Sequence, residues 1–451
     1  MTEVVGWRLD DTVALIRGAA DSIVLLDVLP ADAGPDGKHK LVPLIRKRIN
    51  LEDRAAKKSI LSVMDGKAAR RIGVISLSGF YDDFEARQSG DKNFKSATRD
   101  VAHLLDELKK EMVDGVLIDL RNNGGGSLKE AVELTGLFIG NGPVVQQRDA
   151  RGKITVERDA KAAVAWDGPL GVLINRASAS ASEIFAAAIQ DYGRGVIVGE
   201  PSFGKGTVQS VIDLDDVAKS DKPEFGELKL TVAQFFRING GTTQLRGVKP
   251  DILLPAVDDE DGFGESSYNN ALPWVTIRPA DYFPIGDLKG LLPILLKRHE
   301  MRLRSDKDFQ FLLEDIAEFN FQRKKKLVTL NEAERRKERD VQEARLTARE
   351  AREGAGKSTQ ERLGQKPVPR QDRAIRDDGL QADERSLANE LATEKAGKKS
   401  KDISLNEAAQ ILGDEVGLLK SSIRIAARLR RAPPLIPSQE SGTNAIGAGI
   451  W

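Results

Sequence analysis

The sequence predicts an α/β fold: a largely parallel β-sheet with crossover helices, followed by a mostly helical, highly charged C-terminal extension. Two observations predict the sheet. The short, wholly apolar runs Val116–Leu120 and Leu170–Ile174 read as strands buried on both faces. Each is followed by a turn and a helix, at Leu128–Ile139 and Ala181–Gln190, and strands alternating with helices argue for parallel pairing. The third observation is compositional. Beyond about residue 260 the strand patterns stop, and residues 331–353 are almost solid Glu, Arg, Lys and Ala.

The elements follow in chain order. Residues 4–9 read as a strand, and Asp10 and Asp11 cap a short helix with Val13, Leu15 and Ile16 inward. Ile23–Leu29 is a strand, residues 31–37 a Gly/Pro/Asp loop, and Leu41–Ile49 an alternating strand. From residue 70 the α/β pattern begins with a strand at Ile72–Leu77. Phe94–Met112 is an amphipathic helix with Val101, Leu104, Leu105 and Leu108 on one face. Val196–Val198, Thr207–Leu214 and Leu228–Phe236 read as later strands. Phe311–Phe319 is a helix, 354–402 is polar with Pro and Gly, a helix covers 405–430, and 432–451 is a loose tail.

Composition excludes several classes. The 451 residues carry 69 Lys and Arg against 69 Asp and Glu, so no global charge points to nucleic acid. There is no cysteine, hence no disulfide, thiolate metal site or cysteine nucleophile. The three histidines, His39, His103 and His299, lie beside no Gly-rich turn or plausible nucleophile, leaving a Ser-His-Asp mechanism few candidates. The longest apolar run, near Gly290–Leu296, is far short of the roughly 20 residues of a spanning helix. The N-terminal residues show no signal-peptide pattern.

Three local patterns carry chemistry. Asp119–Gly126 (DLRNNGGG) joins a buried strand to a helix, and its glycines allow backbone N–H groups to line a cavity at a helix N-terminus, as an oxyanion hole requires. A tight turn with no chemical role fits it too. Ser178–Glu183 (SASASE) also joins a strand to a helix, presenting a serine hydroxyl where the dipole favours a developing anion. An N-cap with Glu183 near a capping-box position fits equally. The third, Gly199–Gln209 (GEPSFGKGTVQ), imitates two other motifs. A P-loop would continue with Ser or Thr into a helix, whereas Gly206 and a strand-like run follow Lys205. Ser202-x-x-Lys205 has the penicillin-binding spacing, but a Pro-containing loop supplies no helical turn. What remains is Lys205 as a base, which needs burial to lower a pKa ordinarily near 10.4, or Lys205 as an exposed turn residue. All three patterns occur in order in one α/β unit, where catalytic groups gather at the strands' carboxyl ends.

With those motifs in order, residues 47–255 resemble the C-terminal processing peptidases, the tail-specific serine proteases. The matching stretches are DLRNNGGG, Asn175–Arg194, Gly199–Gln209 and Arg246–Ile252. Asn270–Trp274 and the charged extension resemble the longer, periplasmic bacterial branch. The resemblance implies a crotonase-like core with Ser180 as nucleophile, Lys205 as general base and Gln209 orienting the lysine. It implies oxyanion N–H groups from Gly126 and Ala181, with Gly125 a near alternative, and a supporting role for Asp191. No metal or organic cofactor is implied. The implied partners are proteins with apolar C-termini, and the extension is a candidate docking surface for an adaptor; neither nucleic acid nor a transmembrane segment is expected.

The family also carries a PDZ domain that reads the substrate's tail, and residues 3–30 resemble only its second half. A truncated product is therefore expected, with 1–46 as the partial PDZ-like domain, 47–260 as the catalytic core and 261–451 as the extension. An inactive fragment serving as a scaffold is the alternative. A crotonase-like acyl-CoA enzyme would leave the Ser–Lys pair without a role.

Overall fold

The computed structural model describes residues 2–4, 7, 12, 15–29, 38–47, 55–66, 68–91, 94–159, 163–219, 225–257, 263–325, 329–341, 344 and 402–421. The expected strand at 4–9, the loop at 31–37, the polar stretch at 354–402 and the tail at 432–451 lie wholly or largely outside these residues.

The chain divides into two compact units. One contains Met1–Asn50 and Phe321–Lys401, and its hairpin pairs β1 (Ile23–Val28) antiparallel with β2 (Lys40–Ile45). The other contains Leu51–Asn320 and the segment from Asp402 onward, and holds the two sheets described next.

The larger sheet has the order β12-β9-β8-β5-β4-β3. Its strands are β3 (Lys57–Asp65), β4 (Ala68–Ser76), β5 (Gly115–Asp119), β8 (Leu170–Ile174), β9 (Val196–Gly199) and β12 (Ile252–Leu253). All neighbours pair in parallel except the edge hairpin β3–β4. The smaller, antiparallel sheet, β10-β11-β6-β7, comprises β6 (Gly142–Asp149), β7 (Ile154–Asp159), β10 (Thr207–Asp213) and β11 (Glu227–Phe236). The chain's helices include α1 (Phe84–Gln88), α2 (Ala97–Lys110), α3 (Leu128–Ile139), α4 (Ala181–Asp191), α5 (Leu214–Ala218), α6 (Leu292–Ser305), α7 (Lys307–Lys325) and α8 (Ile403–Ser421).

Side-chain alternation explains why the central strands are apolar throughout. In β5, Val116 and Ile118 pack with Val101, Leu105, Leu134 and Phe185 of α2, α3 and α4. Leu117, between them, packs with Leu295 of α6 and Ile411 and Leu412 of α8. β8 repeats this, with Val172 and Ile174 in the first cluster and Leu173 in the second. Both faces are therefore covered by helices, as parallel sheets require. Each Leu, Ile or Val so buried contributes about 1.5–3 kcal/mol.

Local chemistry moves some expected boundaries. α2 starts at Ala97 rather than Phe94, because the Ser96 side chain caps it by accepting the Arg99 N–H. β10 ends at Asp213, whose side chain caps α5. The helix expected at 405–430 is α8, beginning at Ile403; residues 422–430 lie outside the described set. Strands β3, β6, β7 and β12 and helices α1, α5 and α6 were not expected from sequence patterns.

α8 is anchored by charge as well as by apolar burial. Arg302 of α6 donates from Nε to Glu407 (2.9 Å) and from Nη1 to Asp414 (2.7 Å). Arg298 donates to Asp414 at 2.9 Å, and buried His299 Nδ1 lies 2.8 Å from Glu407. No helix among the described residues is long and apolar enough to cross a membrane.

Candidate active site

Three loops leave the carboxyl ends of adjacent parallel strands, and each carries one of the sequence patterns. The Asp119–Gly126 turn follows β5, the Ser178–Ser182 turn follows β8, and the Gly199–Lys205 loop follows β9. Backbone and side-chain bonds sew the first two together. Asn123 O accepts the Ala179 N–H (3.0 Å) and the Ser182 hydroxyl (2.8 Å), while Leu120 O accepts the Ser178 hydroxyl (2.8 Å). Asn122 and Asn175 exchange a reciprocal pair, each at 2.9 Å.

Ser180 stands at the N-cap of α4 with φ 57° and ψ −111°. A non-glycine residue in this left-handed region carries strain on the order of 1–3 kcal/mol, held by surrounding bonds. One of those bonds runs from the Ser180 N–H to Glu183 Oε2 at 2.8 Å.

Gly125 lies against this turn and Gly126 against Phe80. A Cβ on Gly125 (φ 108°) would fall 2.8 Å from Ser180 Cβ and 3.1 Å from the Ala181 nitrogen. A Cβ on Gly126 (φ 144°) would fall 2.3 Å from Phe80 O. Only glycine fits either place. The Gly125 N–H is engaged by Asn123 Oδ1 at 2.9 Å. Among the described residues, the N–H groups of Gly126 and Ala181 donate to nothing. Of the three expected oxyanion donors, those two are free.

Lys205 lies beside a pocket of about 480 Å³ that Gln209, Phe203 and Ala179 also line. Its Nζ donates to Gln209 Oε1 at 3.0 Å. Burial pushes its pKa below the ordinary lysine value and the charge of Lys229 adds to the shift, while Glu265 and Glu183 oppose it. Among the described residues, no hydrogen bond joins Lys205 to Ser180. Asp191, at the end of α4, accepts from Arg237 Nε (3.1 Å) and Nη2 (2.5 Å) and from Asn239 (2.8 Å), away from the pocket lining.

Sequence reasoning missed the wider role of Glu183. Its buried carboxylate caps Ser180 as the capping-box spacing implies, but it also reaches the lysine loop. Oε2 accepts the Lys205 N–H at 2.9 Å, and Oε1 accepts the Gly204 N–H at 2.7 Å and the Ser202 hydroxyl at 2.6 Å. Four donors thus converge on one carboxylate and fix two loops to each other. Burial pushes its pKa up to about 7, against the pull of those four donors. No local spacing signals this, because three of the donors come from a loop 19–22 residues downstream.

Comparison with known proteins adds the lineage. Residues 71–254 match peptidase family S41, and residues 259–417 match the C-terminal domain of tail-specific protease. The chain belongs to peptidase family S41. Tail-specific protease of Haemophilus influenzae is 41% identical over 359 residues, 78% of this chain and 49% of that protein. The carboxyl-terminal-processing protease of Synechocystis is 34% identical over 228 residues, 49% of this chain and 48% of that protein. The chain therefore spans about half the length of the curated relatives it matches. Among solved structures, the photosystem II D1 C-terminal processing protease aligns at 30% identity with a TM-score of 0.40, covering 56% of this chain and 61% of that one. The S41 match ends at 254 and the tail-specific match runs through α6, α7 and most of α8.

Proposed function

We propose that this chain is the catalytic part of a serine endopeptidase that cleaves proteins presenting an apolar C-terminal tail. The observation that carries the reading is the Glu183 carboxylate, which binds the backbone N–H groups of both Ser180 and Lys205. A neutral Lys205 takes the proton from Ser180 Oγ, which attacks the scissile carbonyl. The oxyanion is received by the N–H groups of Gly126 and Ala181. The Lys205 ammonium then protonates the leaving amine, and water attacks the acyl-enzyme by the same route in reverse. Gln209 holds the Lys205 amine in register. Asp191 supports the far end of α4 through Arg237. The core is read as crotonase-like, 47–260 as the catalytic domain, 1–46 as a partial PDZ-like segment and 261–451 as the extension. A periplasmic location follows from the resemblance to the long bacterial branch.

A second reading, a scaffold without activity, draws on the missing Ser180–Lys205 hydrogen bond. Catalytic hydrogen bonds often tighten only with substrate in place, so the first reading is preferred. The test is cleavage of a protein with an apolar tail by the purified chain, by Ser180→Ala and by Lys205→Ala. Loss of at least about 10³-fold in both variants is expected. Activity that survives in Lys205→Ala removes the base assignment, and a folded but inactive wild-type chain favours the scaffold.

A further inference from the structure

The oxyanion turn has a second attachment, to a distant part of the chain. Arg121 lies in the Asp119–Gly126 turn. Its guanidinium donates from Nε to Asp119 Oδ1 (3.0 Å) and from Nη2 to Asp119 Oδ2 (2.8 Å). Asp119 Oδ1 also accepts the Arg121 backbone N–H at 3.1 Å, which closes the turn on itself. The other side of the same guanidinium grips Asp402, from Nη1 to Oδ1 at 2.9 Å and from Nη2 to Oδ2 at 2.7 Å. Asp402 immediately precedes α8 and caps it, accepting the Leu405 N–H on Oδ1 at 2.9 Å.

A fork-shaped pair of this kind fixes direction as well as distance. α8 is a firm anchor for it. Its apolar face is buried under the larger sheet, and its charges are held by Arg298 and Arg302 of α6. Its far end is fastened as well, where Lys420 donates to Asp114 at 2.5 Å. The turn is therefore gripped from two sides, by Asn175 at Asn122 and by Asp402 at Arg121, with Gly125 and Gly126 just beyond.

We propose that Asp402 and Arg121 are positioning residues for the hydrolysis, through which docked α8 sets the oxyanion turn and hence the aim of the Gly126 N–H. This rests on the endopeptidase reading above. It gives the C-terminal region a part in the chemistry itself, beyond covering the sheet.

The test separates the ion pair from the helix cap. Asp402→Asn retains a good capping side chain and loses the charge. In the full chain, its kcat on a peptide with an apolar C-terminus should fall roughly tenfold with KM within about twofold, because a small misplacement of a catalytic group acts on the transition state. Asp402→Glu, which keeps the charge, should recover part of the loss, and Arg121→Lys, which cannot fork, should match Asp402→Asn. Hydrogen exchange on the same proteins should quicken across 120–127 in Asp402→Asn and stay unchanged at 196–199. A kcat within about twofold of wild type in Asp402→Asn overturns the proposal, whatever the exchange shows. If the wild-type chain is as inactive as Ser180→Ala, the endopeptidase reading fails, and exchange alone decides: quickened exchange at 120–127 upholds the coupling and unchanged exchange rejects it.

Discussion

Two buried glutamates, one on α4 and one on α8, show how different the cost of a hidden carboxylate can be. Glu183 and Glu415 are both almost wholly removed from solvent. Burial raises both, Glu183 to about 7 and Glu415 to about 8. Glu183 is surrounded by four donors, and they link two loops of the candidate site. Glu415, on α8, has one oxygen with no partner among the described residues and feels only the charge of Arg194. Arg194 is itself pushed down to about 10 by burial, and its guanidinium donates to the carbonyls of Phe138, Trp166 and Gly168. One carboxylate organises its surroundings, while the other is tolerated by them.

The largest expected effect breaks the comparison on the Glu183 side. Glu183→Gln replaces an all-acceptor group with one that presents an NH₂ to backbone donors. It should lower kcat/KM about 10²-fold, whereas Glu415→Gln should stay within about threefold, both read by steady-state peptide cleavage.

The next effect concerns stability. A carboxyl whose folded pKa is raised holds its proton more firmly in the native state than in the unfolded chain. Stability is then lost as pH rises from about 4.5 through the folded value. Wild-type unfolding free energy should therefore fall between about pH 5 and 8. Glu415→Gln mimics the protonated side chain, so it should equal wild type near pH 4 and exceed it by on the order of 5 kcal/mol near pH 9, measured by urea unfolding. A constant gap across that range would mean that Glu415 does not titrate there.

The smallest effect tests the lysine. Lys229 lowers the pKa of Lys205, so Lys229→Gln should raise it. In the proposed mechanism Lys205 must be neutral to act, so activity should be lost as pH falls. The acidic limb of the kcat/KM profile should therefore move to higher pH, by the least of these effects because the charge is partly screened.

These contrasts also mark what the sequence made legible. β5 and β8 were readable because burial on both faces writes an unbroken apolar run. β3 (KKSILSVMD) and β6 (GPVVQQRD) were not, because each mixes apolar with charged or amide residues. β12 has two residues and owes its form to pairing with β9. In the site, the order of the three loops was visible and so was the capping of Ser180 by Glu183. The second grip of Glu183 on the lysine loop was hidden, since a carboxylate's remaining lone pairs leave no mark on local spacing. The Arg121–Asp402 fork was hidden for the same reason at far greater range.

That range, 281 residues, matters for how the protein is made. A chain leaving the ribosome can lay α2, α3 and α4 against one face of the larger sheet early. The opposite face, with Leu117, Leu173 and Val198, waits for α6 and, last, for α8. Until that helix is synthesised part of this apolar surface stays uncovered, a hazard for aggregation, and the Asp119–Gly126 turn lacks one of its fastenings. Biogenesis thereby imposes a delay: the candidate site is completed only after the last described helix has been built.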